Sequence, residues 1–460
     1  MFRRSSPIGR WPAAGCILAA VLLFAGTLAA QERRSSRIDV EHYTIDAEIN
    51  PRTQTITANV QMRFVPQEDA TILQFEFNNA LSLPKIVDDS GRELQASRSA
   101  ENSQIRLSLP DALPKGKPST LTFTYDGRLT GAEESPVYGI KFAAIQQDHA
   151  FLMYPSRWFP VNDYTVDRFT ADIRIVVPAG FRAIASGVET SDTAPADKVA
   201  YRFKASTASF PGSIAVVKGE PKALSGGGVI TTFFLRDTAE MAAAYGEEIG
   251  KVMAFLTNLY GLAPKANLIV VETEKGAPDG YSAPGVLFLS PRGIGKTVRT
   301  DLLVNQIARQ WWGNMVSPAT RNHLWWVNGL TRYAELQYLE QSNPGLFEIK
   351  IHDAYIEALT VEQPPLIQSA RLEDYSPEYW AATGGKGAAV LNMLRYVIGD
   401  EAFLKTLKAF PEQYANKSAS TNDFRKVAEQ MSGESLQWFF TEWIESSGAP
   451  EFKLDYTVFR

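Results

Sequence analysis

The chain is predicted to be an α+β protein of more than one domain, a β-sheet domain first and a mainly α-helical domain after it. Three observations carry this. From Arg37 to about Gly228, apolar residues recur at every second position, the period of strands with one face buried. After Asp237 they recur at three- and four-residue spacing, the period of amphipathic helices. Between the two regimes stands Ser225-Gly-Gly-Gly228, the expected boundary. A chain of 460 residues can bury two or three cores, and 45% hydrophobic with 21% charged residues is ordinary for a globular protein.

Residues 1–30 read as a signal peptide. Arg3, Arg4 and Arg10 precede an apolar run from Ala13 to Ala30, whose shortness and alanine content favour cleavage over an uncleaved membrane anchor. The chain is therefore expected to be exported, to the periplasm, the cell envelope or the medium, with a membrane link only through an uncleaved signal. Cys16, the one cysteine, lies inside this run, which leaves the mature chain no thiol for disulfides or thiolate metal sites.

The β domain is assigned to residues 31–228. Tyr43, Ile45, Ala47 and Ile49 alternate with polar residues, Asn50-Pro-Arg-Thr53 gives a turn, and Ile56, Ala58, Val60, Met62 and Phe64 alternate again. Phe169, Ala171, Ile173, Ile175 and Val177 repeat the pattern. The helical domain is assigned to residues 229–448, with a tail at 449–460. Asp237 is expected to cap a helix carrying Met241, Tyr245, Ile249, Val252, Met253 and Leu256, which stops near Gly261. Apolar strands at 268–271 and 285–289 lead to a helix at 302–316. There Leu303, Ile307 and Trp311 form one row, Val304, Ala308 and Trp312 another, and Gly313 is the expected C-cap. Further helices are predicted at 386–396, 401–410, 423–431 and 436–445.

The net charge of −5 offers no basic stripe, so no nucleic-acid partner is expected. Ser290-Pro-Arg-Gly-Ile-Gly-Lys-Thr297 ends like a phosphate-binding loop but has Ser290 where that loop needs glycine, so no nucleotide is expected either. Gly280-Tyr-Ser-Ala-Pro284 resembles a nucleophile elbow with its last glycine replaced, without alternating strands and helices around it.

Gln310-Trp-Trp-Gly-Asn314 resembles the end of the zinc-binding helix of the aminopeptidase N family, where H-E-x-x-H runs into Q-W-W-G-N. Arg157-Trp-Phe-Pro-Val-Asn-Asp163 and the close Phe439-Phe440…Trp443-Ile444…Gly448-Ala-Pro450 are similar to further family stretches, and the likeness is strongest from Tyr281 to Pro450. The resemblance implies a gluzincin architecture: a saddle-like N-terminal β-sheet domain followed by a thermolysin-like, mainly α-helical peptidase domain. The domains that often follow in the family are expected to be absent here, or the chain was cut before them.

The same resemblance carries the family's zinc ligands onto Asn305, Arg309 and, through Trp325-Trp-Val-Asn-Gly-Leu-Thr-Arg-Tyr333, Asn328. It carries the general base onto Gln306, the amine-binding glutamate onto Ser282 and the oxyanion-stabilising tyrosine onto Gly384. Carboxamides are poor zinc ligands beside imidazole, Gln306 cannot take a proton near neutral pH, and Arg309 is a permanent cation without a lone pair. A divalent ion about 4 Å from that cation meets a repulsion of roughly 8 kcal/mol at an effective dielectric near 20. No zinc or other cofactor is therefore expected. Instead Arg309 is expected to hydrogen-bond Asn305 or Asn328, and Glu335 to pair with Arg309 or Arg332.

The expected function is that of a catalytically inactive aminopeptidase-like protein binding a peptide or protein partner in the old groove, with Glu335, Tyr333 and Tyr281 as candidate groove residues. The alternatives are weak or altered metallopeptidase activity, with a metal recruited through His323, His352, Glu335 or Asp279, and a structural partner of an active paralogue.

Overall fold

The computed structural model describes residues 37–99, 103–130, 139–448 and 455–457. The signal assigned to residues 1–30, with Cys16, lies outside the described residues, as does most of the assigned tail.

The N-terminal half is built of sheets. Strand Ile38–Asn50 runs through the middle of an eight-stranded sheet, antiparallel to Thr55–Pro66 on one side and parallel to Phe169–Pro178 on the other. Its alternation places Tyr43, Ile45, Ala47 and Ile49 in the core, opposite Met62, Val60, Ala58 and Ile56 of the next strand. Asn50 makes the turn between them, its Oδ1 accepting from the backbone N–H of Arg52 at 3.0 Å. The segment Arg157–Asp163 is threaded into this core. Trp158 is fully buried, donates its indole N–H to the Gly212 carbonyl at 2.7 Å, and its own carbonyl accepts from the Tyr125 hydroxyl.

The C-terminal half opens with a five-stranded mixed sheet ordered Lys222–Gly226, Val229–Phe234, Leu268–Glu272, Val286–Leu289, Gly280–Ala283. The Ser225–Gly228 run expected as the domain boundary is thus a hairpin turn inside this sheet, which already begins at Lys222. Gly227 and Gly228 both hold positive φ there, a turn geometry that suits glycine.

Among the described residues, seven helices of nine residues or more follow or interleave: α1 (Ala242–Tyr260), α2 (Thr300–Ala308), α3 (Leu324–Ser342), α4 (Pro344–Leu359), α5 (Gly387–Ile398), α6 (Asp400–Gln413) and α7 (Thr421–Ser432). Asp237 does not cap the approach to α1. The Glu272 carboxylate does so, accepting from the backbone N–H groups of Arg236, Asp237 and Thr238. The predicted helix at 302–316 also ends early. α2 closes at Ala308, and Gln310 to Val316 form a tight loop in which Gly313 has φ +107°. Among the described residues no helix is long and apolar enough to cross a membrane.

Two features hold the helices around α2. Trp311, Trp312, Trp325 and Trp326 are completely buried. Trp312 meets Tyr260 edge-on at 4.8 Å between centroids and Trp326 meets Phe410 at 5.4 Å, the T-shaped contact that aromatic quadrupoles favour. α3 and α5 cross at Gly329 and Gly387, where a Cβ on either would fall about 2.9 Å from the other's backbone. Only paired glycines allow that approach, and it sets the distance between α3 and the turn that precedes α5.

Candidate functional site

Between the two halves lies a cavity of about 450 Å³. Its N-terminal wall is aromatic: Phe142, Tyr154, Tyr164 and Phe210. Its C-terminal wall comprises the edge strand at Gly280–Ser282, the end of α2 at Gln306 and Arg309, Asn328 of α3, and Tyr375, Tyr379 and Trp380. At the cavity a hydrogen bond crosses between the halves, joining the hydroxyls of Tyr164 and Tyr281 at 2.5 Å, and beyond it Lys141 donates from its backbone N–H to the Gly276 carbonyl and from Nζ to Glu274.

The floor is a polar chain. Glu335 accepts from Asn305 Nδ2 at 2.6 Å and binds Arg332 through its other oxygen. Asn305 Oδ1 accepts from Arg309 Nε at 3.1 Å and from Gln306 Nε2 at 3.2 Å. Arg309 Nη2 donates to Asn328 Oδ1 at 3.2 Å, and Asn328 Nδ2 donates on to the Tyr379 hydroxyl and to Thr383 Oγ1. Asn305 and Arg309 meet because they lie one turn apart on α2. Asn328 reaches Arg309 because α3 packs directly against α2, while the glycine crossing brings the turn before α5, with Thr383, within reach of Asn328.

Electrostatically the floor is strained. Burial lowers the pKa of the Arg309 guanidinium, while the nearby Tyr379 phenol and the Glu335 carboxylate act in the opposite sense. Burial likewise raises Glu335, against the pull of Arg332 and the Asn305 hydrogen bond. No carboxylate among the described residues touches Arg309 directly; Glu335 is spent on Arg332 and Asn305.

The other predicted positions are distributed unevenly. Ser282 lines the cavity, but its hydroxyl accepts from Gln310 Nε2 at 2.7 Å. Gln310 also binds Ala283 and Gly285, so it fastens the edge strand to the end of α2. Gly384 is buried in the wide turn Ala381–Lys386, and a Cβ there would meet no atom within 4 Å. Tyr281 lines the cavity. Tyr333 and Glu335, expected in the groove, do not. Tyr333 is fully buried on the far face of α3 and donates to Asn392, and Glu335 lies behind Asn305.

The residues named for a recruited metal are not brought together. His323 accepts at Nδ1 from the backbone N–H of Thr421, at the start of α7. His352 is exposed on α4, and Asp279 is bound by Arg292 and Arg299. Among the described residues no three His, Cys, Asp or Glu side chains form a metal-holding group. The positions to which the sequence resemblance assigns zinc ligands do not fit that ion either. One of them is a guanidinium with no lone pair, and the carboxamide oxygens beside it already accept its protons.

Sequence reasoning missed Tyr379, Thr383, Tyr375 and the whole N-terminal aromatic wall. Ser376-Pro-Glu is a helix-start signal that would have placed Tyr379 at the head of a turn, where the Ser376 side chain accepts from its N–H.

Residues 295–443 match the model of the Peptidase family M1 domain. The chain is 27% identical over 163 residues to Aminopeptidase M1-A of Oryza sativa subsp. japonica, covering 32% of this chain and 18% of that protein. It is 26% identical over 172 residues to Aminopeptidase N of Streptomyces lividans, covering 34% and 20%. It thus spans a fifth or less of the length of these relatives. Among solved structures, the M1 zinc metallopeptidase of Deinococcus radiodurans superimposes with a TM-score of 0.72 at 19% identity, over 91% of this chain and 97% of that one. A mutant of it bound to a Tyr-Ser-Ala substrate gives 0.73 at 18% identity, over 91% and 96%. An N-terminal multi-strand sheet domain followed by a helical domain is the fold of these two-domain M1 metallopeptidases, and residues 295–443 support a place for the chain beside the aminopeptidase N-like M1 family.

Proposed function

We propose that this chain is an M1-family protein without peptidase activity, which binds a peptide, or a peptide segment of a protein partner, in the cleft between its halves. One observation carries the reading: Arg309 donates to both Asn305 and Asn328, the positions that resemblance assigns to the family's metal ligands. A cation held there by two hydrogen bonds competes with a divalent ion for the same oxygens and repels it. Gln306 supplies no base, and Gly384 no phenol. The cavity volume falls within the range of about 300–1,000 Å³ usual for small-ligand sites, and its aromatic walls suit side-chain burial.

Metal analysis of the purified chain, with aminoacyl-substrate assays with and without zinc, tests the inactive half of the reading. Metal well below stoichiometry and no turnover are expected; near-stoichiometric zinc with chelator-sensitive turnover would overturn it. The binding half predicts a saturable change in tryptophan fluorescence with some peptide of a diverse set, and a flat response to all of them would remove it. We also propose export directed by residues 1–30, for which recovery of the full-length chain in the cytosol alone would count as refutation.

A further inference from the structure

A second cavity, of about 260 Å³, lies in the helical half and shares no lining residue with the central cleft. Its described walls are largely apolar, with Ala358 and Leu359 from the end of α4, Val390 and Met393 from α5, and Trp443. One cation stands among them. Lys386 closes the turn Ala381–Lys386 and lies four residues before Val390 and seven before Met393, so it shares the face of α5 that borders the cavity. The residue is only 6% exposed, and no hydrogen bond or ion pair joins its side chain to any described residue. Unlike the sealed and unpartnered indole nitrogen of Trp326, its Nζ keeps accessible surface. Lys386 lines the cavity and is otherwise enclosed, so that surface opens into it.

Lysine is almost never buried without an anion. Burial holds this ammonium below the ordinary lysine pKa, and no neighbouring carboxylate acts in the opposite sense. Glu362, at the rim, is exposed, and Glu357 lies against Gly385 outside the cavity lining. An anion inside the cavity would complete the site. One ammonium matches the single charge of a carboxylate, and the surrounding walls match hydrocarbon rather than further polar groups. The apolar surface also continues past the rim: Leu359 is 63% exposed and Ile356, one turn earlier on α4, is 53% exposed. A tail longer than the cavity would find a track there.

We infer that this cavity binds a carboxylic acid with an alkyl tail, its carboxylate on Lys386 Nζ and its tail between Val390, Met393 and Trp443, leaving past Leu359. The site is separate from the central cleft and does not rest on the reading of it.

The test is calorimetric titration of the unmodified chain with octanoate, octanamide, octylamine and acetate. Octanoate is expected to bind at least about tenfold tighter than octanamide, and acetate and octylamine are expected not to bind. Lys386→Met, which keeps the side chain's length without its charge, is expected to bring octanoate down to the level of octanamide. Met393→Trp, which fills the cavity from a partly exposed position, is expected to weaken both. Equal binding of octanoate and octanamide, tightest binding of octylamine, acetate binding as well as octanoate, or no binding of octanoate overturns the inference. So does an octanoate preference that survives Lys386→Met, or binding left unchanged by Met393→Trp. The acid–amide difference is read on the natural chain, and Met393→Trp locates the site even if Lys386→Met fails to fold.

Discussion

Leu303, Val304 and Ile307 on one side of α2, with the Trp311-Trp312 pair that follows, lie within a turn or two of Asn305, Gln306 and Arg309 on the other side, yet the two sets obey different physics. The first set is buried among side chains from α1, α3, α6 and α7, where packing depends on shape and volume. In the second set Gln306 and Arg309 border the cavity, as Trp312 also does, and Asn305 lies behind them; all three are held by directed hydrogen bonds, where one changed atom type rewrites the chemistry but leaves the fold in place. The likeness read from the sequence lies in the Trp311-Trp312 pair, which is completely buried, so that packing restricts the residue type there. On the cavity side nothing in the packing opposes change, provided that each new polar group finds a partner.

The contrast can be broken most forcefully on the packed side. Trp312→Ala removes a fully buried indole in contact with Tyr260 and Phe410, and is expected to cost about 3–5 kcal/mol in denaturant unfolding. A loss under about 1 kcal/mol would show that the aromatic cluster is not what holds α2. On the cavity side, Asn328→Ala leaves Arg309 with one fewer acceptor and Tyr379 without its donor, and should cost a smaller amount, about 1–3 kcal/mol. A cost equal to that of Trp312→Ala would erase the distinction between the two sides.

The gentlest probe is pH. Burial holds the Glu335 pKa above its unfolded value, so the native state keeps the proton more tightly than the unfolded chain. Its contribution to stability is full below the ordinary glutamate range and declines as pH rises through the folded value. Glu335→Gln is expected to flatten that decline in unfolding curves measured from acid to neutral pH. An unchanged slope would place the pH dependence elsewhere.

Much of the fold was legible because its signals are local. The alternation of Ile38–Asn50, the Gly261 stop of α1 and the periodic helices α5 to α7 each depend on residues a few positions apart. The end of α2 was not, since Gln310 is drawn into its turn by Ser282, Ala283 and Gly285, more than twenty residues away. The site divided in the same way. Asn305 with Arg309 could be read from helical spacing. Tyr379 and Thr383 reach Asn328 through a turn wider than an α-helix, and the walls at Phe142, Tyr154 and Phe210 come from short strands and loops without a period.

The Tyr164–Tyr281 bond joins residues 117 apart in sequence, one from each half of the molecule. The cleft draws its walls from both halves, and it belongs to neither half by itself. Cutting the chain between the halves would leave no pocket in either piece, and would strip the N-terminal core of the side chains it shares with the second sheet, among them Phe234, Val271 and Phe288.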